Sequence, residues 1–408
     1  MFSNQTRENS TKYVEDSIKY ICKEIGPREP GTASELKCQE WLKSEIEKNN
    51  WANEVKIEPF IVSRHALVGF TKIIAVMLMI ASIFQLTFFA NNLYYKIFST
   101  ISLFLVISSF FILITEFGLY LKVIDKFLPQ SISTNLYAKI KPSGEIKKRI
   151  VFNGHTDSAY EWSLMKIHQN FMIFVLGTIA IANLAFLGII IAALATDLNN
   201  LKLGSLILGL ITFVLDIGLF FMCNFNVVVP GANDNLTGTM ISMAVLKAIK
   251  EENIQFENTE VCIMLSGSEE AGLRGAEAWG KAHKQELTEI DTAVIVFDTL
   301  RDKDYATIYT RDMTCLVKNS QKVASLLDKA AAKSGYHLPH HGVPFGASDA
   351  AALSKQGIHA CCVAAQNPKG TTWYHNTRDC ADNLNPETIR LGVDLALNAL
   401  EIFDKEGF

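Results

Sequence analysis

Four long apolar blocks interrupt a chain that otherwise alternates between polar and apolar positions. They run from about Leu67 to Ala90, from Ile97 to Leu121, from Phe171 to Ala195 and from Leu203 to about Cys223. Each holds roughly 20 to 25 residues, enough as a helix to cross a hydrocarbon core about 30 Å thick. Within each pair the connection is short, NNLYYK in one and TDLNNLK in the other. Helices this long with so few charges are uncommon in soluble cores, so the blocks predict four transmembrane helices arranged as two hairpins, 67–121 and 171–223.

The polar remainder falls into 1–64, 122–166 and 226–408. The first piece has a helical stretch, SELKCQEWLKSEIEKNN, with Leu36, Trp41, Leu42 and Ile46 at near-helical spacing, then a strand candidate at VKIEPF. The second has two strands, NLYAKIK and RIVFNGHTD, around a PSGE turn. The third alternates helix and strand from GTMISMAVLKAIKE to PETIRLGVDLALNALEIF. This alternation predicts an α/β fold, a central sheet flanked by helices. The three pieces form one discontinuous domain into which the hairpins are inserted. No internal repeat and no low-complexity linker is present.

Composition adds little beyond this. Hydrophobic residues make up 49% of the 408 and the net charge is −4, so nothing points to nucleic acid. The 8 cysteines have no paired spacing and read as reduced, buried thiols. The polar start MFSNQTRENSTKYVED has no apolar core after a basic residue, so no cleaved signal peptide is expected.

Candidate chemistry lies in five short contexts, NGHTDS, GANDNLTG, SGSEEAGLRG, VFDTL and WYHNTRD. They supply His155, Asp234, Glu270, Asp298 and His375, each at a predicted strand end or an adjoining loop. His155 and Asp157, two apart on a strand end, face one side, so Asp157 can accept the second ring N–H of His155 and fix its tautomer. Asp234 sits at a turn before a helix; Asn235 or Thr237 can cap that helix and leave Asp234 free. Glu269 and Glu270 are adjacent carboxylates, which a nearby cation would keep ionised. One can ligate while its neighbour acts as general base. Asp298 ends the apolar strand TAVIVFD. Nitrogen and oxygen donors without thiolate suit a hydrolytic zinc site.

These motifs, with YHNTRDCADN, resemble in content and order the co-catalytic dizinc aminopeptidases of peptidase family M28. The resemblance implies a zinc exopeptidase-like mixed sheet and two Zn²⁺ ions. It assigns one ion to His155 and Asp298, the other to Glu270 and His375, with Asp234 bridging. It makes Glu269 the general base and Asp157 the partner of His155. It also implies a cis peptide at Asp234-Asn235. GASDAAAL matches the family's Ser-Asp segment at Ser348 and Asp349, but Ala350 stands where the family has histidine. The chain departs further by carrying a hairpin between His155 and Asp234.

His155 and Asp234 flank the second hairpin yet must share one site, so that hairpin crosses the membrane an even number of times. The catalytic-side flanks carry Arg64, Lys72, Lys122, Lys126 and Lys166, whereas the opposite connections carry Lys96 and Lys202. The positive-inside rule then puts the catalytic domain in the cytosol of an integral, plasma-membrane protein. Glu116 and Asp216 are acidic residues within the spans and candidates for function there. His340 and His341 are candidates for lining a substrate pocket. The expected activity is a membrane-anchored aminopeptidase acting on a peptide or amino-acid amide. The alternatives are hydrolysis of N-acyl or lipidated amino acids entering from the bilayer, a glutaminyl cyclase-like transferase, and a non-catalytic membrane module.

Overall fold

In the computed structural model, which describes residues 1–408, the chain divides into two compact units. One takes in Met1–Arg64, Pro129–Tyr160 and Val228–Phe408; the other takes in His65–Leu128 and Glu161–Val227.

The first unit is built on a nine-stranded mixed sheet. Its strands are β1 (Glu54–Val62), β2 (Ser131–Ile140) and β3 (Lys148–His155), then, beyond a separate ribbon of β4 (Tyr160–Trp162) and β5 (Cys223–Val228), β6 (Thr259–Ser266), β7 (Asp291–Leu300), β8 (Ala306–Asp312), β9 (Val317–Lys318), β10 (His340–Gly342) and β11 (Ala360–Ala365). The order is β1-β2-β6-β3-β7-β11-β8-β10, with β9 beside β8. At the centre β6, β3, β7 and β11 run parallel. The β1/β2, β2/β6 and β11/β8 pairs are antiparallel.

The parallel strands are apolar on both faces, as a sheet covered twice requires. Ile150 and Phe152 of β3 pack into the main core with helices Asn4–Tyr20, Thr237–Glu251 and Pro386–Glu406. Tyr137 of β2 meets Trp279 edge-on at 5.2 Å on a shorter helix, Arg274–Ala282. Burying each such side chain contributes about 1.5–3 kcal/mol. The last helix shows why its ends fall where they do. Asn385 accepts the N–H groups of Glu387 and Thr388, Pro386 opens the first turn, and Gly407 follows the end.

The run NVVV before Asp234 lies mostly in β5, which pairs with β4 and not with the central sheet. A run of β-branched residues specifies extended backbone without naming its partner. The short strands β8 and β10 carry no long apolar run in ATIYTRD and HHG, so hydropathy alone does not mark them.

The second unit holds four helices long and apolar enough to cross a membrane, Ala66–Phe89, Asn92–Gly118, Gln169–Thr196 and Asn199–Phe221. The connections are tighter than the hydropathy suggests. The second helix starts at Asn92 because Asn91 caps it, accepting the N–H of Tyr94. Phe70, Ile74, Leu78, Val106, Phe186 and Ile190 form the bundle's core. Phe104, Ile181 and Val214 are about 70% exposed, at 71%, 70% and 66%, so the outer surface is apolar too. Polar residues are turned inward. Gln85 bonds Ser99, Ser102 and Ser205, and Ser82 meets Thr212. Hydrogen bonding between helices among small residues is the packing expected where lipid surrounds the bundle. Glu116 is buried and accepts the N–H of Ile124 at 2.7 Å; Asp216 accepts from Asn183 at 2.8 Å. Lys96 and Lys202 of the connections both meet Asp197.

Candidate functional site

Because β6, β3 and β7 are parallel, their C-terminal ends open on one edge, where α/β sheets place ligands. His155 ends β3, and Asp298 lies near the end of β7. Glu269 and Glu270 follow β6 on a turn whose Ser268 has φ 52°. Asp234 belongs to the turn Ala232–Leu236 that enters helix Thr237–Glu251. Its peptide to Asn235 is cis. Asn235, not Asp234, caps the helix: its Oδ1 accepts the Gly238 N–H at 3.0 Å, and its Nδ2 donates to the Phe297 carbonyl at 2.8 Å. A Cβ on Gly238 would collide with that carbonyl, so the helix start can press against β7 only with glycine there. His375 comes from an irregular loop beyond β11 and has φ 51°. Left-handed backbone at Ser268, Thr299 and His375 costs of order 1–3 kcal/mol each and persists only where surroundings enforce it.

These elements bring the five residues together. Asp234 lies between the histidines, Oδ1 at 3.2 Å from His155 Nε2 and Oδ2 at 3.1 Å from His375 Nε2. Asp298 is 3.8 Å from His155, and Glu270 is 3.3 Å from His375. Two groups converge closely enough to hold an ion each, His155-Asp234-Asp298 and Asp234-Glu270-His375, and they share Asp234. A third combination, His155-Glu269-Glu270, also converges. Glu269 Oε2 lies 3.9 Å from His155.

The electrostatics suit a cation. Asp234 Oδ2 and Glu270 Oε1 are buried without a hydrogen-bond partner, facing only the His375 ring. Burial pushes Glu270 up, and the Asp234 charge adds to this against His375. Burial also dominates at Glu269, which the charges of Glu270 and Asp298 push further up. Burial opposes charge on His375, yet Glu270 and Asp234 outweigh it and push the ring up to about 10. Two imidazoles among so many carboxylates thus take up the positive charge that cations would supply.

Asp157 has a second use beside the expected one. Its carboxylate is 3.4 Å from His155 Nδ1, and its two oxygens also accept the backbone N–H groups of Glu269 at 3.1 Å and Glu270 at 3.0 Å. It therefore fixes the turn that presents both glutamates.

Three residues escaped sequence reasoning. Asp379 accepts from the Asn233 N–H and side chain and from the Asp234 N–H, and so holds the turn of Asp234 in place. Burial, then the Asp234 charge, pushes it up to about 7. Glu35 accepts from Gly31, Ser133 and Ser268, which fixes the approach to Glu269. Burial and the Asp157 charge push it up to about 8. Tyr374 stacks on His375 at 3.9 Å. Burial and the nearby charges of Asp234 and Glu270 raise its phenol, so it stays a donor. Position could have flagged Asp379, four residues after His375, and Tyr374, its neighbour.

His340 and His341 are exposed on β10, and His340 pairs with Asp328 at 2.9 Å. Nothing brings them to the cluster. Ser348 donates to Asp312, and the buried Asp349 accepts from Ser266, the residue across from His155 in the sheet.

Residues 219–400 match the model of peptidase family M28, a stretch that contains Asp234, Glu269, Glu270, Asp298 and His375. No curated protein matches in sequence. Among solved structures, the chain is similar to an aminopeptidase from Aneurinibacillus sp. strain AM-1, at TM-score 0.57 and 13% identity, over 98% of this chain and 95% of that one. It is similar to a zinc aminopeptidase from Bacillus subtilis, at TM-score 0.56 and 15% identity, over 96% and 94%. A Bacteroides thetaiotaomicron glutaminyl cyclase bound to N-acetylhistamine reaches TM-score 0.56 at 12% identity, over 98% of each chain. At these identities the structures show a shared fold, and the family match places five of the site residues within one stretch that resembles the M28 peptidases.

Proposed function

We propose that this chain is a zinc metallopeptidase, a membrane-anchored aminopeptidase with two zinc ions, one held by His155 and Asp298, the other by Glu270 and His375, and Asp234 between them. The observation that carries this reading is Asp234, whose two oxygens face different histidines at 3.2 and 3.1 Å. The charge count agrees: the carboxylates of Asp234, Glu270, Asp298 and Glu269 match two divalent ions. When bound, the ions would supply Lewis acidity toward a scissile amide carbonyl and toward water.

The remaining steps belong to the chain. Glu269 accepts the proton of the attacking water and returns it to the leaving amine. Asp157 keeps Glu269 and Glu270 oriented through their amides. The Tyr374 phenol, held protonated, donates to the charge that develops on the carbonyl oxygen. The four apolar helices anchor the enzyme, with the catalytic unit on the cytosolic face of the plasma membrane.

The deciding experiment measures metal content alongside turnover on aminoacyl amides, dipeptides, N-acyl amino acids and an N-terminal glutaminyl peptide. The expected result is two zinc ions per chain, release of N-terminal residues, and loss of activity on chelation. Cyclisation of the glutaminyl peptide alone, or cleavage of N-acyl amino acids alone, moves the assignment to those chemistries. An intact fold that takes up no metal ends it.

The anchor is tested separately in sealed vesicles. Cysteines placed at Asn91 and Asn200 should label from one side and a cysteine at Ser3 from the other. Labelling of Ser3 from the same side as either connection contradicts four spans.

A further inference from the structure

Arg28 is fully buried, and no carboxylate is among its hydrogen-bond partners. Its guanidinium donates instead to peptide carbonyls: Nε to Thr156 at 2.7 Å, Nη1 to Pro230 at 2.7 Å and Gly26 at 3.2 Å, Nη2 to Gly231 at 2.9 Å. Its own backbone exchanges two bonds with Ser158, one from the Arg28 N–H to Ser158 Oγ and one from the Ser158 N–H to the Arg28 carbonyl, each 2.9 Å. Thr156 directly follows His155, and Gly231 lies in the loop that delivers Asp234. Residues 157–230, which contain the whole second hairpin, separate these two contacts in sequence. Gly231 has φ 60°, and a Cβ there would approach Arg28 Nη2 to 2.8 Å, so the guanidinium occupies the space a side chain would need.

We infer that Arg28 is a positioning residue for the metal centre: it fastens the segment leaving the catalytic unit after His155 to the segment returning before Asp234. This rests on the dizinc reading of that centre. A planar fork of five N–H donors can hold four separate carbonyls at once; an ammonium on a flexible stem cannot reproduce that geometry. With the two segments fastened, His155 and Asp234 face each other before any ion arrives. The β4/β5 ribbon joins the same two segments farther out, but Arg28 joins them next to the ligands; without it the ligands would be set less closely and zinc affinity would fall.

The test is zinc affinity by competition with a chelator, measured on detergent-purified full-length chain. Arg28→Lys should weaken zinc binding by about 10–100-fold, the range for a residue acting behind the ligands. At saturating zinc, kcat and KM should return close to wild-type values. Arg149→Lys is the control for the loss of a buried arginine as such. Arg149 pairs with Glu260 at 2.5 Å and lies at the end of β3 opposite His155. It should lower thermal stability and leave zinc affinity unchanged. Equal zinc affinity in Arg28→Lys and wild type overturns the inference, as does an equal loss in Arg149→Lys. If Arg28→Lys does not fold, Ser158→Ala decides, since it removes a single bond to the Arg28 backbone: weaker zinc binding supports the role and wild-type affinity overturns it. Wild-type protein that binds no zinc is a different failure, that of the metal reading itself.

Discussion

Replacing Glu269 by Gln should leave both metal ions in place and lower turnover by at least about 10²-fold, the loss expected for a general base. The substitution keeps size and shape. It also keeps the bonds that set the turn, because Asp157 holds the backbone N–H of Glu269 and not its side chain. What disappears is the capacity to take a proton. The result also settles a geometric competition, since Glu269 converges with His155 and Glu270 as one of the possible metal groups. If metal and turnover are lost together, Glu269 is a ligand. If turnover is unchanged with metal retained, the base lies elsewhere. Metal analysis beside single-turnover kinetics separates these outcomes.

Asp234→Asn should strip both ions, whereas Glu270→Gln should weaken only one. Asp234 belongs to both groups around the histidines, and Glu270 joins only the one at His375 among those that share it. Asn keeps one oxygen but loses the charge that two cations would share, so the loss should exceed the about 10–100-fold typical of a residue behind the ligands. The turn itself should survive, because Asp379 grips the Asp234 N–H and Asn233, not the Asp234 carboxylate. Zinc per chain after dialysis is the measurement. Two ions retained by Asp234→Asn would show that no shared carboxylate is needed.

Much of this was legible in sequence because the informative groups are side chains in local context. The four apolar blocks named the helices, since length and hydropathy alone decide that class. His155 and Asp298 could be placed because β3 and β7 are apolar runs that stop where the polar residue stands. Arg28 and Glu35 could not be read this way. Their partners are mostly peptide groups and hydroxyls more than a hundred residues away, such as the Thr156 carbonyl and the Ser268 N–H. Peptide groups are the same at every position, so no pattern marks the one to be bonded. Asp157 shows the same limit more mildly. Spacing suggests His155 as its neighbour, 3.4 Å away, but not the two amides that only the return of β6 brings to its oxygens.

The order in which the ligands are strung along the chain also bears on how the protein is made. His155 precedes the second hairpin; Asp234, Glu270, Asp298 and His375 follow it. A ribosome delivers the N-terminal part first. On the four-span reading, both hairpins are therefore synthesised before four of the five ligands. Cofactor loading becomes a late step of biogenesis, completed only when the segment around His375 has emerged. The nascent enzyme is inert while it is being anchored, and the ion it receives is chosen by the compartment in which the finished polypeptide comes to rest.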